Sequence, residues 1–274
     1  MTTLLFIGDI VGRPGRELVR RAVPRLVAKH RIDLVIANVE NAAAGFGVTP
    51  DIADDMLSYG VHVMTGGNHT WDKKEIIPYF ADQPCLLRPA NMPAGTPGRG
   101  VFVARATNGV PVAVINGMGR VFMTAIDDPF RVIADEAAAA RDRAKVIFVD
   151  FHAEATSEKV AMGWYLDGRV TAVVGTHTHV QTADERILPQ GTAYITDVGM
   201  TGPHDSVIGV ERNAVIQRFL TGLPQRFETS TENPRLNAIL LQADEQTGKA
   251  MSIERISLSA NQIDALAEEP AAAR

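Results

Sequence analysis

Short apolar runs alternate with helical patterns in the first quarter of the chain, and this alternation constrains the fold more than any other feature of the sequence. The runs at 4–8, 33–39 and 61–65 are rich in Leu, Val and Ile, as buried strands are. Between them, residues 13–30 place apolar side chains at helical spacing, and residues 49–59 begin with Thr-Pro, a typical helix start. The alternation predicts a parallel sheet with helices packed against it, and therefore an α/β fold.

The middle of the chain departs from that alternation. Residues 84–100 are rich in Pro and Gly, which predicts a loop. The apolar runs 101–104 and 110–115 flank Asn108-Gly109 with no helix between them, so we expect an antiparallel pair at a sheet edge or in a second sheet. The same reasoning predicts further elements: helices at 127–143, 156–166 and 210–220, and strands at 144–151, 170–174, 186–188, 192–195, 236–241 and 251–258.

Length and composition are those of an ordinary globular protein. The chain has 274 residues, of which 46% are hydrophobic and 22% are charged. It contains no internal repeat and no linker long enough to divide it. The sequence therefore predicts a single domain over residues 1–274, with the Ala-rich residues 265–274 as a frayed tail.

Charge and cysteine content limit the partners and the compartment. The net charge of -5 argues against a broad basic surface that would bind long nucleic acid. A small phosphorylated substrate remains compatible with this charge, because metal ions can supply local positive charge. The single cysteine, Cys85, has no partner for an internal disulfide, which favours a reducing, cytoplasmic location. No secretory signal and no membrane span are predicted, and homo-oligomerisation is left open.

Polar side chains come just after five of the predicted strands, within three residues of each strand end: Asp9, Glu40, Asn68, His152 and His177. In open α/β sheets, ligands bind beyond the carboxyl ends of the strands, so we expect these side chains at one edge. Taken singly, each has an ordinary explanation, such as a helix cap for Asp9 or a hydrogen-bonded core histidine for His152. Together, carboxylates, an amide and imidazoles make a donor set suited to metal ions.

A pair of histidines lies in the string Gly-Thr-His-Thr-His at 175–179. On an extended segment, residues i and i+2 point to the same side, ~7 Å apart, so each imidazole can bind one of two close metal ions. Two such ions lower the pKa of a bridging water and neutralise phosphoryl oxygens, which favours phosphoester hydrolysis by a metal-bridging hydroxide. His69, next to Asn68, is then available to donate a proton to the leaving oxygen.

The segments that carry these residues resemble a known family. Gly8-Asp9, Gly67-Asn68-His69 and the string at 175–179 are similar to the separated sequence blocks of calcineurin-like metallophosphoesterases. Likeness to the YmdB family within that superfamily rests on longer strings: GDIVGRPG (8–15), NVENA (38–42), GNHTWD (67–72), DFHAEATSEK (150–159) and TDVGMTGP (196–203). The resemblance implies an αββα sandwich with a two-metal centre at the carboxyl ends of the strands. It also implies phosphodiesterase activity, in particular on 2′,3′-cyclic nucleotides.

The resemblance further implies a role for each site residue. It makes His69 the catalytic histidine. The two implied ligand sets share Glu40 as the bridge: Asp9, Glu40, Asn41 and His179 for one metal ion, and Glu40, Asn68, His152 and His177 for the other. Val11 stands where the superfamily has a histidine, and Glu40 stands where it has an aspartate, with Asn41 replacing the missing histidine. The implied ions are iron or manganese, which accept mixed oxygen and nitrogen ligands.

Other functions remain compatible with these residues. The same centre would serve a phosphomonoesterase such as a nucleotidase, or a regulatory protein that senses a nucleotide and turns it over poorly. Redox chemistry at a di-iron centre is a third alternative. For several polar residues, the sequence does not decide between contact with the site and an ordinary structural role: Asp72, Arg88, Arg120, Asp150, Glu154 and His204. Asp72, for example, either orients His69 or caps a helix.

Overall fold

The computed structural model describes residues 1–266, which form two β-sheets flanked by helices. The strands in chain order are β1 (Thr2–Ile7), β2 (Leu34–Asn38), β3 (Val63–Thr65), β4 (Val101–Arg105), β5 (Pro111–Met118), β6 (Val146–His152), β7 (Ala172–Thr176), β8 (Arg186–Ile187), β9 (Ala193–Ile195), β10 (Gly202–Pro203), β11 (Pro234–Ala243) and β12 (Ala250–Ser259). The helices are α1 (Gly12–His30), α2 (Pro50–Ser58), α3 (Ile76–Asp82), α4 (Pro129–Ala140), α5 (Thr156–Tyr165), α6 (Arg212–Thr221) and α7 (Ala260–Ala265).

The two sheets differ in strand order, and each contains a run of adjacent parallel strands. The first has the order β10-β11-β1-β2-β3, with β12 also paired to β11, and its strands β1, β2 and β3 are parallel. The second has the order β4-β5-β6-β7-β9-β8, in which β5, β6, β7 and β9 are parallel. The antiparallel pair predicted around Asn108-Gly109 is confirmed as β4 and β5, at the edge of the second sheet.

The sheets pack face to face. Their inner faces share a core in which the rings of Phe6 and Phe148, one from each sheet, have centroids 5.1 Å apart. The outer face of the first sheet is covered by α1, α2, α3 and α7, and that of the second by α4 and α5. Each sheet thus buries both faces of its central strands, and the predicted αββα sandwich is confirmed.

Local sequence sets where two helices begin. Thr49 Oγ1 accepts a hydrogen bond from Ile52 N at 3.4 Å, at the start of α2. Asp128 caps α4 in the same manner, accepting from Phe130 N at 2.9 Å. These side chains satisfy N–H groups that a helix leaves without internal partners, so α4 begins at Pro129 rather than at the predicted residue 127.

Some short elements were not predicted: α3, β10 and α7. At seven, two and six residues, they are too short to give a periodic signal. The frayed tail predicted at 265–274 is wrong for its first two residues, because Ala265 ends α7 and Leu266 packs against the core. The rest of that tail, 267–274, lies outside the described residues.

The carboxyl ends of strands from both sheets meet at one place. Asn38 at the end of β2 and Thr65 at the end of β3 donate hydrogen bonds to Asp150 Oδ2, at 3.1 and 2.5 Å. Thr176 at the end of β7 donates to Asp150 Oδ1 at 2.7 Å. Because Asp150 lies in β6, this one buried carboxylate joins the two sheets beneath the loops that leave the four strands.

Candidate metal centre

Four of the predicted ligands meet above that junction. His152 Nε2 lies 3.0 Å from Glu40 Oε1, 2.9 Å from Asn68 Oδ1 and 3.0 Å from His177 Nδ1. His152 is fully buried and Glu40 is 1% exposed. Two carboxylate or amide oxygens and two ring nitrogens therefore converge on one point, and they belong to the four residues that the family resemblance assigns to the second metal ion.

The donor chemistry of this cluster fits a metal ion. The ligand atoms of Glu40, His152 and His177 all lie within 4.8 Å of one another. Neighbouring ligands at ~2.1 Å from an octahedral ion are ~3.0 Å apart, which is the spacing observed around His152. Gly67 allows the approach, because a Cβ there would overlap the His152 ring and lie 2.5 Å from Glu40 Oε2. These residues can hold a metal ion.

The other predicted ligand set is less compact. Asn41 and His179 line the same cavity as Glu40, whereas Asp9 is fully buried beside it and accepts a hydrogen bond from His177 N at 3.2 Å. Oδ1 of Asp9 and Oδ1 of Asn41 are buried without a hydrogen-bond partner. Within residues 1–266, these side chains do not join a second tight cluster of His and acidic groups, so their assignment to a metal stays a prediction.

The histidine pair does not lie on an extended segment, and that prediction is wrong. β7 ends at Thr176, and His177 and His179 have φ values of 97° and 66°. The backbone leaves the strand ladder because side chains take its next hydrogen bonds: His177 N donates to Asp9 Oδ2, and Thr178 N donates to Asp197 Oδ2. The two rings are therefore placed by a strained turn rather than by strand alternation.

Hydrogen bonds fix which ring nitrogen of each histidine faces the site. The Thr176 hydroxyl donates to Asp150, so its oxygen accepts from His152 Nδ1 at 3.0 Å and leaves Nε2 toward the cluster. His177 Nε2 lies 3.1 Å from Glu154 Oε2, which leaves Nδ1 toward the cluster. Carboxylate, hydroxyl and carbonyl partners of this kind orient metal-binding histidines.

The loops that carry Glu40 and Asn68 are held by buried amides. Asn38 Oδ1 accepts a hydrogen bond from Glu40 N at 3.1 Å. Asn116 pairs with the backbone of Gly66, accepting from its N and donating to its O, both at 3.0 Å. Since both asparagines are fully buried, they fix the loops at the ends of β2 and β3.

Ionisation in the cluster is shaped by burial and by neighbouring charge. Burial opposes ionisation of Glu40, but the charge and hydrogen bond of His152 outweigh it and lower the pKa of Glu40 to about 2. Burial also opposes a charged His152, yet Glu40 raises the pKa of His152 to about 9. Burial, together with the charge on His152, lowers the pKa of His177 to about 3. Without a metal ion, these pKa shifts favour an imidazolium at His152 paired with the Glu40 carboxylate, beside a neutral His177.

His69 stands at the rim of this cluster. Its backbone N donates to Glu40 Oε2 at 3.0 Å, and its Nδ1 lies 2.8 Å from Asp72 Oδ2. Its side chain is 27% exposed and lines a cavity of about 190 Å³ together with Glu40 and His177. Of the two explanations for Asp72, contact with His69 is the one observed. The His69 ring is thus oriented by Asp72 and reachable from the cavity.

A buried ion pair supports the histidine turn. Lys159 Nζ lies 2.6 Å from Asp197 Oδ2, with Lys159 at 1% and Asp197 at 0% exposure. The same oxygen accepts from Thr178 N at 3.1 Å and from Thr178 Oγ1 at 2.6 Å. Since Thr178 separates His177 from His179, this pair holds the turn that places both rings.

Asp197→Ala is expected to lower the free energy of unfolding by about 3–5 kcal/mol, because Lys159 would remain buried without its counter-charge. Urea denaturation followed by circular dichroism measures this loss. Thr178→Val is the matched control, since it removes one hydroxyl hydrogen bond from the same carboxylate and should cost only about 1 kcal/mol. Equal losses in the two variants would contradict the importance assigned to the pair.

The residues left open by the sequence have separate positions. Arg88 donates to backbone carbonyls of its own loop, including Pro89 O at 2.8 Å, and Arg120 lies 3.6 Å from Asp128. His204 lies 3.2 Å from Asn237 Nδ2. Arg88, Arg120 and His204 do not line the cavity beside Glu40, but His204 lines a neighbouring cavity together with His179. Asp150 and Glu154, in contrast, orient the cluster as described above.

Several supporting residues were not predicted from the sequence: Asn38, Thr176, Lys159, Asp197 and the carbonyl of Ile208. Ile208 O lies 2.8 Å from His179 Nδ1. Asn38, Thr176, Lys159 and Asp197 fall inside the strings that carry the family resemblance, which was the one available signal. The carbonyl of Ile208 acts through a contact with a residue 29 positions away, and no local pattern marks such a contact.

No helix within residues 1–266 is long and apolar enough to cross a membrane.

Known proteins resemble this chain over nearly its whole length. A 2′,3′-cyclic-nucleotide 2′-phosphodiesterase of Bacillus subtilis is 54% identical over 256 residues, covering 93% of this chain and 97% of the relative. Two solved structures cover 94% of this chain: a hypothetical protein of Thermus thermophilus (TM-score 0.88, 41% identity, 99% of its chain) and a Mycoplasma pneumoniae protein described as a novel phosphatase (TM-score 0.89, 35% identity, 93% of its chain). The sequence model of the YmdB-like protein family matches residues 5–256. The resemblance drawn from the sequence is confirmed, and the chain belongs to the YmdB-like protein family.

Proposed function

We propose that this chain is a metal-dependent phosphodiesterase that hydrolyses 2′,3′-cyclic nucleotides. The observation that carries the proposal is the convergence of Glu40, Asn68, His152 and His177, with Glu40 and His177 lining the cavity that His69 also lines. The Bacillus subtilis relative, whose name states this activity, supports the choice of substrate.

Two metal ions, iron or manganese, would complete the centre. Their proposed ligands are Asp9, Glu40, Asn41 and His179 for one ion and Glu40, Asn68, His152 and His177 for the other. The unpaired oxygens of Asp9 and Asn41 support the first set, because a buried polar atom without a partner is costly. When bound, the ions supply an activated water and neutralise charge on the phosphoryl oxygens.

His69 is the proposed proton donor. Its Nδ1 pairs with Asp72, so Nε2 is the atom left to give a proton to the departing ribose oxygen. Its backbone hydrogen bond to Glu40 ties the ring's position to the ligand cluster. Asp72 acts by orienting the ring.

A phosphomonoesterase on the same centre is the second candidate, favoured by the Mycoplasma pneumoniae protein described as a phosphatase. The test is hydrolysis of 2′,3′-cyclic AMP, bis(p-nitrophenyl) phosphate and p-nitrophenyl phosphate, each with and without a chelator. The proposal expects chelator-sensitive turnover of the cyclic nucleotide and a preference for the diester over the monoester. A preference for the monoester would favour the second candidate, and tight binding of the cyclic nucleotide without turnover would favour a sensing protein.

Metal loading at pH 7 is expected to release about one proton per chain, because His152 must lose its proton to become a ligand. Pairing with Glu40 raises the pKa of His152, so this pairing stabilises the metal-free protein. The stabilisation is fully present below pH 6.5 and is lost as the pH rises through about 9. Apparent metal affinity should therefore rise between pH 7 and 9. Calorimetric titration with Mn²⁺ in buffers of different ionisation enthalpy measures the release; equal proton counts at pH 7 and above pH 9 would contradict it.

A small substrate, a cytoplasmic location and a single domain complete the proposal. The cavity of about 190 Å³ is smaller than the ~300–1,000 Å³ typical for drug-sized ligands, which suits a partly exposed mononucleotide. The net charge of -5 gives no general attraction for long nucleic acid. Cys85 is a buried free thiol, in keeping with a reducing compartment. Homo-oligomerisation stays a prediction that sedimentation analysis would test.

A further inference from the structure

The cavity beside the ligand cluster has two chemically distinct parts. Glu40, His69 and His177 line one part. The other part is an apolar wall whose large side chains are Phe46, Ile208 and Phe227. Phe46 is 37% exposed and Ile208 is 54% exposed. A cyclic nucleotide has the same division, since its phosphodiester is charged and its base presents flat, weakly polar faces.

Ile208 occupies a position that its residue type disfavours. Val207 and Val210 exchange two backbone hydrogen bonds, at 2.9 and 3.0 Å, and so enclose a two-residue hairpin loop. In that loop Ile208 has φ 47° and Gly209 has φ 101°, as in a type I′ turn. Asn, Asp and Gly are the residues that such a turn favours, whereas a β-branched residue is strained there. Strain of this kind is retained mainly at functional sites.

The strained residue is tied directly to the candidate metal centre. Ile208 O accepts a hydrogen bond from His179 Nδ1 at 2.8 Å, so the turn both orients His179 and presents an apolar side chain to the cavity. Half of that side chain is in solvent, so burial in the core does not account for an isoleucine at this position.

The two phenylalanines are also fixed relative to the site. Phe46 follows the turn that carries Glu40 and Asn41, and its ring meets the His69 ring edge-on, with centroids 5.0 Å apart and planes at 69°. Phe227 has the Arg218 guanidinium 5.3 Å from its ring centroid and also lines the cavity. The apolar wall is thus attached to the catalytic histidine on one side and to a histidine ligand on the other.

We propose that Phe46, Ile208 and Phe227 form the subsite for the nucleobase of the cyclic nucleotide, an inference that rests on the proposed function. Aromatic and apolar side chains bind bases through their faces, which every base has. The wall therefore gives affinity for nucleosides as a class with little discrimination among the four bases. Its role is to hold the base while the cyclic phosphodiester reaches the ligand cluster.

Ile208→Asn tests the subsite without endangering the fold, because asparagine suits the turn and keeps the carbonyl that His179 needs. The measured quantity is kcat/KM for 2′,3′-cyclic AMP divided by kcat/KM for glycerol 1,2-cyclic phosphate, a cyclic diester with no base. We expect this ratio to fall roughly tenfold, mainly through KM, the size of effect that loss of one base contact produces. The melting temperature should rise by roughly 2–4 °C as the strain is removed.

Leu220→Asn is the matched control, because Leu220 is 73% exposed on α6 and lies outside the cavity. It should leave the substrate ratio unchanged, and metal content should equal that of the parent protein in both variants. If Ile208→Asn lowers kcat/KM equally for both substrates, the subsite proposal is overturned, whereas the proposed function is unaffected. If the parent protein hydrolyses neither substrate, the proposed function fails. In that case, calorimetric titration with the same two compounds tests the subsite. An equal loss of affinity for both compounds in Ile208→Asn would overturn it.

Discussion

Replacing Glu40 by Gln is expected to weaken metal loading and to abolish hydrolysis while the protein stays folded. Glu40 belongs to both proposed ligand sets, and its Oε1 lies 3.0 Å from His152 Nε2. Glutamine keeps the shape and can still accept the hydrogen bond from His69 N, so the loop is retained. The anionic oxygen is lost, however, and metal affinity should fall by more than about 100-fold, beyond the range for residues that only orient ligands. Metal content after dialysis and turnover of 2′,3′-cyclic AMP are the two readouts.

Substitutions of two other carboxylates serve as references for the Glu40→Gln result. Glu154→Gln alters the partner of His177 Nε2 and should weaken metal binding by about 10–100-fold, less than Glu40→Gln. Glu17→Gln changes an exposed carboxylate that pairs with Arg20 and should alter neither readout. Full metal content and full activity in Glu40→Gln would remove Glu40 from the centre.

His69→Ala is expected to keep the metal ions and to lower kcat for 2′,3′-cyclic AMP by about 10²–10⁴-fold, the usual contribution of a general acid. The backbone hydrogen bond to Glu40 survives in alanine, so the ligand cluster is left in place. The loss should be much smaller for bis(p-nitrophenyl) phosphate, because p-nitrophenolate leaves without needing a proton.

The dependence of the kcat loss on the leaving group distinguishes proton donation by His69 from a structural effect of its replacement. Asp72→Asn, which alters the partner of His69 Nδ1, should show the same dependence with a smaller loss. Equal losses on the two substrates would show that His69 acts through binding or structure. An unchanged kcat on the cyclic nucleotide would exclude His69 from the reaction.

The meeting of Glu40, Asn68, His152 and His177 was predictable because each lies at or just after the end of a strand, and parallel strands carry their carboxyl-end loops to one edge. The αββα sandwich and the family were likewise accessible, since the hydrophobic pattern and the sequence strings extend over most of the chain. The ligand roles themselves stay predictions, which the metal content of the Glu40→Gln and Glu154→Gln variants tests.

The histidine turn could not be predicted from local sequence. His177 N is held by Asp9, 168 residues earlier, and Thr178 is held by Asp197 from the far side of the turn. These contacts override the extended conformation that the preceding strand suggested. The strained position of Ile208 is of the same kind, since an isoleucine in a valine-rich segment gives no local indication of a positive φ.

The measurement that tests the central claim most directly is metal content by elemental analysis, made on the same purified sample whose hydrolysis of 2′,3′-cyclic AMP is assayed. Two metal ions per chain, with turnover that a chelator removes and Mn²⁺ or iron restores, is the predicted result. Protein that holds no metal ion after purification and reconstitution, or that hydrolyses the cyclic nucleotide equally well without metal, would contradict the account built on Glu40, His152 and His177.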